Sequence, residues 1–154
     1  MEELRRAMFH ELDEIVDLCE LVKKTYSFWD RDYPVYENFF DDYKKDLLFV
    51  FLVDNKIIGA IGAEKSEWTD EGITLHMFMV HPDYRQKGYG KKIFLGVEDI
   101  LVSLGYKKID LLVRKDHPFA MKMYENLGYT NWGRVKTPWE VENDIFYLLY
   151  RKNH

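Results

Sequence analysis

The apolar residues of this chain change period along its length, and that alternation narrows the fold more than any other feature. Leu12, Ile15, Val16, Cys19 and Val22 recur at helical spacing, with acids and lysines between them. Asp13 is placed to cap this helix, and residues 5–9 ahead of it are short enough for a strand. The aromatic, acidic stretch YSFWDRDYPVYENFFDDY follows, with Pro34 near the start expected for a second helix. Next, LLFVFLV and KIIGAIGAE flank Asp54 and Asn55, two turn formers, and predict a hairpin. WTDEG marks another turn, and ITLHMFMV a third strand of that sheet.

The second half alternates more tightly. From Gly88 to Leu104, the residues Ile93, Val97, Ile100, Leu101 and Leu104 share one helical face, and Gly105 stands where a helix end wants a left-handed residue. KIDLLV predicts a strand, and PFAMKMYENLG a short helix with Pro118 at its start and Gly128 at its end. YTNWGRV and DIFYLLYRK complete the chain as two strands. The order is β, α, α, three antiparallel strands, then α, β, α, β, β. That order predicts a mixed α/β (α+β) layer with helices packed on a sheet.

Composition sets outer bounds. A length of 154 residues fits a single domain, 1–154, and 47% hydrophobic residues suffice for a core. No apolar run reaches the roughly 18 residues a membrane helix needs, and MEELRRAMFHELDE puts acids where a signal peptide is apolar. The one cysteine, Cys19, excludes an internal disulfide and fits a reducing compartment. A net charge of −5 argues against a nucleic-acid protein. The expectation is a soluble, cytoplasmic protein with neither membrane nor nucleic acid as partner.

Against that acidic background, HPDYRQKGYGKKIF gathers Arg85, Lys87, Lys91 and Lys92 around Gly88 and Gly90 at the mouth of a helix. A helix N-terminus offers free backbone N–H groups and partial positive charge, and glycine lets an anion approach them. The stretch directly follows a strand, a favoured ligand position in α/β sheets. GxxxxGK[ST] and GxGxxG are both absent. The residues alone leave three readings: a phosphate cradle, a nucleic-acid patch through the four cations, or a solvated turn.

The segment resembles the GNAT superfamily of N-acetyltransferases. Arg85-Gln86-Lys87-Gly88-Tyr89-Gly90 matches the family signature of Arg or Gln, two residues, Gly, one residue, Gly or Ala, and MVHPDYR is similar to the strand end before it. Ala120, Tyr124, Gly128 and Tyr129 match a second family block, while His117 stands where the family commonly has Asn. The order of elements is also the family's. The resemblance implies a central mixed, mostly antiparallel sheet of about six or seven strands flanked by four helices.

It further implies acetyl-CoA as co-substrate, its pyrophosphate held by backbone N–H groups from Gln86 to Lys91, with Arg85, Lys87, His117 and Ala120 nearby. The strand before the loop would be bulged, freeing the backbone of Met79 and Val80 for the pantetheine arm. Tyr124 would protonate the departing thiolate, and a backbone N–H near Val80 would meet the oxyanion. On the apolar stripe Phe119, Met123 and Leu127, Tyr124 is expected at the edge, its hydroxyl toward a cleft.

Acetylating an amine requires removing a proton from an alkylammonium of pKa about 10.4. His76, four residues before Val80, is the candidate base, since the family places a His or Glu on this strand. A histidine satisfied within the sheet is the alternative. Trp29, Tyr33, Tyr36, Phe39 and Phe40 line an acceptor pocket or belong to the core. The acids among them, Asp30, Asp32, Glu37, Asp41 and Asp42, either attract a cationic amine or form a solvated face. Cys19, on the apolar stripe, reads as core. His10, His81 and His154 share no spacing with His76 or His117 that would build a metal site, so no metal is expected.

The implied function is transfer of acetyl from acetyl-CoA to a primary amine of a small molecule or peptide in a ternary complex. A non-catalytic acyl-CoA-binding or regulatory domain is the alternative. A homodimer through the final strands is compatible with this order of elements.

Overall fold

A computed structural model describes residues 1–25, 32–114, 120–135 and 146–152. It contains strands β1 (Glu2–Arg6), β2 (Leu48–Val53), β3 (Lys56–Lys65), β4 (Gly72–Val80), β5 (Lys108–Arg114), β6 (Thr130–Val135) and β7 (Phe146–Lys152). The α-helices are α1 (Leu12–Thr25), α2 (Tyr36–Lys44), α3 (Tyr89–Ser103) and α4 (Ala120–Asn126). The strands form one mixed, mostly antiparallel sheet in the order β1-β2-β3-β4-β5-β7-β6. The expected class and element order therefore hold. No helix among the described residues is long and apolar enough to cross a membrane.

The chain divides into two compact units, Met1–Glu64 with Leu75–Leu101, and Lys65–Thr74 with Val102–His154. In the first, β2 is apolar at every position because both its faces are covered. Leu48, Val50 and Leu52 join Leu12, Ile15, Leu18, Cys19 and Val22 of α1 and Phe39 of α2 in one core. Burial of each large side chain there is worth about 1.5–3 kcal/mol. Phe51 of β2 and Phe78 of β4 meet α3 instead, 5.6 Å from Tyr89 and 5.2 Å from Phe94 between ring centroids. Asp54 (φ 50°) and Asn55 (φ 68°) are both left-handed, as a tight two-residue hairpin turn requires, and Val53 pairs with Lys56 across them.

In the second unit, β5 pairs antiparallel with β7 from Lys108↔Lys152 to Arg114↔Phe146, and β7 pairs with β6. The first residues of β4 add a short parallel ladder to β5, Gly72↔Lys108, Ile73↔Ile109 and Thr74↔Asp110. Asp110 is completely buried and accepts hydrogen bonds from the hydroxyls of Ser66, Thr69 and Thr74.

Several local expectations are corrected. The first strand is Glu2–Arg6 rather than 5–9, because Phe9 opens a 3-10 turn (Phe9–Glu11) that leads into α1. Capping at this end falls to Glu11, not Asp13: the Glu11 carboxylate accepts from the Met8 N–H at 2.8 Å and from both terminal nitrogens of Arg5 at 2.8 Å. Those bonds hold the Glu11 carboxyl below the usual range, Arg5 contributing most. Leu104 is exposed rather than apolar-facing, since α3 ends at Ser103 and Gly105 turns away at φ 101°. Tyr124 is buried rather than at a helix edge. The buried side of α4 runs through Ala120 and Tyr124 to Leu127 just past its end, with Met123 only half-buried, and Phe119 lies outside the described residues.

Candidate functional site

Strand β4 carries the first piece of the site. Met77 has φ 54° inside the strand, a left-handed residue that breaks regular pleating as a bulge does. His76 precedes this point, and Met79 and Val80 follow it at the strand's carboxyl end. The strand leaves through His81, whose N–H donates to the Ile58 carbonyl at 2.7 Å. A short 3-10 turn, Pro82–Tyr84, then delivers the chain to Arg85.

From there the glycine turn takes shape. Gln86 (φ 61°) and Gly88 (φ 82°) are both left-handed, a backbone pattern that turns N–H groups toward a common point. A Cβ on Gly88 would meet nothing within 4 Å, so the turn opens outward. Helix α3 begins at Tyr89, and the Lys92 N–H donates to the Gly88 carbonyl at 3.2 Å. The N–H groups of Tyr89, Gly90 and Lys91 lie ahead of that bond, at the positive end of a 15-residue helix.

The cations around the turn are not equivalent. Gln86, Lys87 and Lys91 are exposed, and the Lys87 ammonium lies 5.6 Å from the Tyr84 ring. Arg85 donates to the Thr25 hydroxyl at 3.2 Å, tying the turn to the end of α1. Lys92 instead donates to Glu2 at 2.8 Å. An open backbone cradle with exposed lysines at its rim, and open space beside Gly88, fits a diphosphate.

The second piece surrounds His76. Its Nε2 lies 2.5 Å from Asp42 Oδ2 of α2, and Asp42 is almost wholly buried. Its Nδ1 lies 3.7 Å from Glu64 Oε1 at the end of β3. The three side chains form a His/Asp/Glu group whose donor atoms all lie within 4.8 Å. Tyr33, 43% exposed, feels the same charges: partial desolvation of its phenol first, then Glu64, Asp42 and Cys19, push it up to about 12. It therefore keeps its proton throughout the physiological range.

Of the expected acceptor residues, Tyr33 and Asp32 are exposed, Tyr33 feeling the charges of Glu64 and Asp42, and Trp29 lies outside the described residues, as does His117. Asp42, read in sequence as one acid among several on a helix face, is a buried partner of His76. Glu64 was not singled out. Its signal lay in the hairpin closed by the Ser66 N–H on the Gly72 carbonyl (3.0 Å), which returns the chain from Glu64 toward His76. In the second unit, Ala120 and Tyr124 are buried on α4, and the Tyr124 ring meets Tyr129 edge-on at 6.1 Å. Burial raises the Tyr124 phenol well above its ordinary range. Cys19 is a core thiol, pushed up to about 11 by burial, and is no nucleophile at neutral pH.

The model of the Acetyltransferase (GNAT) family matches residues 15–129. N-alpha-acetyltransferase 30 of Schizosaccharomyces pombe (strain 972 / ATCC 24843) is 29% identical over 139 residues, covering 87% of this chain and 90% of that protein. Two solved structures share the fold. The ribosomal-protein-S18-alanine N-acetyltransferase from Escherichia coli superposes with a TM-score of 0.80 at 17% identity, over 99% of this chain and 94% of that one. Ard1 from Thermoplasma volcanium gives 0.81 at 15% identity, over 99% and 98%. The family's co-substrate is acetyl-CoA, an anionic thioester of the kind the Gly88 turn suits. A match of this extent, on a fold of this topology, establishes that the chain belongs to the GNAT acetyltransferase family and is an acyltransferase.

Proposed function

We propose that the protein is an N-acetyltransferase that acetylates a primary amine of a small molecule or peptide by direct attack in a ternary complex. One observation carries the reading: strand β4, with the left-handed Met77 inside it, bears His76 against Asp42 and runs out into the open, left-handed turn at Gly88. The name of the Schizosaccharomyces pombe relative, an N-alpha-acetyltransferase, favours the α-amine of a polypeptide as one acceptor class.

Acetyl-CoA supplies an activated acetyl group as a thioester. The chain's own residues hold and move protons around it. Backbone N–H groups from Gln86 to Lys91, with Arg85 and Lys87 beside them, anchor the diphosphate. The freed backbone at Met79 and Val80 receives the pantetheine amides, and an N–H near Val80 faces the developing oxyanion. His76 takes one proton from the acceptor's ammonium and passes it to solvent. The nitrogen–carbon bond then forms as the carbon–sulfur bond breaks. Tyr124, matched to the family's second block, gives its proton to the thiolate, and the amine's second proton replaces it.

The test pairs a chemical screen with two variants. With acetyl-CoA and a panel of peptide α-amines, polyamines and lysine derivatives, thiol release should accompany acetylated product in the mass spectrum. Gly88→Glu should abolish CoA binding by calorimetry, because it fills the cradle with bulk and negative charge. Tight binding in that variant would overturn the cradle. Tyr124→Phe should lower kcat about a hundredfold with little change in CoA affinity, and undiminished turnover would remove its role.

A further inference from the structure

Resting on the amine-acetylating reading, we propose that Glu64 Oε1 and His76 Nδ1 together seat the acceptor's ammonium group, with Asp42 as the positioning residue that leaves Nδ1 free to accept its proton. The argument begins at the buried end. Asp42 exposes 3% of its side chain, and an ionised carboxylate can only accept. The 2.5 Å contact to His76 Nε2 therefore places a hydrogen on Nε2, which donates to Asp42. In the neutral ring the lone pair is then on Nδ1.

Nδ1 faces Glu64 Oε1 at 3.7 Å, and half of the Glu64 side chain is open to solvent. Two acceptors at that separation are too far apart to bond each other and repel if nothing lies between them. One nitrogen bearing several N–H groups can stand about 2.9 Å from both and donate to each. A cationic nitrogen suits the charge as well, since among the described residues the carboxylates of Asp42 from α2 and Glu64 from β3 converge on this point, and both also act electrostatically on the Tyr33 phenol.

A divalent metal fits less well. Asp42 occupies the opposite ring nitrogen, so an ion at Nδ1 would gain only Glu64 as a second protein ligand from this group, short of the three or four that zinc takes. An ammonium asks for less and gives more. Its proton has a short path to Nδ1, and the imidazolium formed would stand between two carboxylates. Acceptors that are cationic at neutral pH gain from this seat, and weakly basic arylamines, already neutral, do not.

The full chain with Glu64→Gln tests this against two acceptors, an alkylamine and an arylamine. The expected result is a kcat/KM about tenfold lower for the alkylamine, carried mainly by KM. The arylamine should be little changed, and CoA affinity unaltered. Asp42→Asn, of equal volume, should lower kcat about tenfold for the alkylamine with both KM values kept. Equal losses for both acceptors in Glu64→Gln, or none, would overturn the seat. So would activity removed by a chelator and restored by zinc. A readout independent of turnover is an alkylammonium titration followed by the His76 ring resonances. It should saturate in the wild type and weaken about tenfold in Glu64→Gln. Absence of that shift sinks the seat even if acetylation proceeds, whereas a normal shift without acetylation of any amine sinks the enzymatic reading instead.

Discussion

Two buried aspartates, Asp42 and Asp110, expose 2% and 0% of their surfaces and both serve a neighbouring strand, yet their surroundings differ in kind. Asp110 is met by three hydroxyls, Ser66, Thr69 and Thr74, none of which titrates near neutrality. Ser66 Oγ in turn accepts from the backbone N–H groups of Trp68 (3.0 Å) and Thr69 (3.1 Å), so the cluster closes the turn between β3 and β4. Asp42 instead meets an imidazole whose other nitrogen looks toward a half-exposed carboxylate. A buried charge surrounded by fixed neutral donors holds a fold together. One tied to a titratable ring with an open side can handle a proton.

The largest expected effect falls on the chemical member. His76→Gln keeps an amide N–H to donate to Asp42 but has no basic nitrogen. Turnover should fall about a hundredfold, while the unfolding free energy changes by no more than about 1 kcal/mol. Undiminished turnover would erase the distinction between the two clusters. The structural member should answer in the opposite currency. Asp110→Asn replaces an acceptor oxygen of a buried hydroxyl network with an amide donor and should cost about 2–3 kcal/mol in urea denaturation. Turnover measured well below the midpoint should stay within about twofold of the wild type, because the partners of Asp110 are hydroxyls that do not titrate near neutrality. Lost turnover at unchanged stability would show that the roles are reversed.

Legibility in the sequence divides along a related line. The element order, the Asp54-Asn55 turn, the end of α3 at Gly105 and the Gly88 turn are local, each set by residues adjacent in the chain, and periodicity or a short motif suffices to find them. His76 was singled out as a candidate because a motif marks its strand. Its partners were not, since Asp42 comes from a helix 34 positions away and Glu64 from across a hairpin. Long-range convergence leaves no periodic trace, and an acid on an amphipathic helix looks solvated until the sheet beneath it is known. Tyr124 shows the same limit in a single helix. Whether the stripe of α4 passes through residue 123 or 124 is a rotation of one position, which seven residues of pattern do not fix.

The smallest effects sharpen the comparison most, because each cluster is shaped by a glycine whose missing Cβ makes room for it. A Cβ on Gly62 would overlap Asp42 Oδ2 and come within 2.9 Å of the Met77 methyl, while one on Gly72 would overlap the Thr69 hydroxyl and come within 3.3 Å of Lys108 Cβ. Gly62→Ala therefore displaces the carboxylate that orients His76. The carboxylate is the end of a short side chain fixed to α2, so it has little freedom to withdraw without losing Nε2. Turnover should drop about fivefold to tenfold, less than for His76→Gln, since the ring remains basic but poorly held. Gly72→Ala pushes away only the weakest of three donors to Asp110, at 3.2 Å, and Thr69 can turn to another rotamer. It should cost about 1 kcal/mol of stability and leave turnover alone. Measured side by side by denaturation and steady-state kinetics, the two alanines should show opposite patterns. Matching patterns would mean that the proton-handling character assigned to Asp42 comes from its burial and not from its partner.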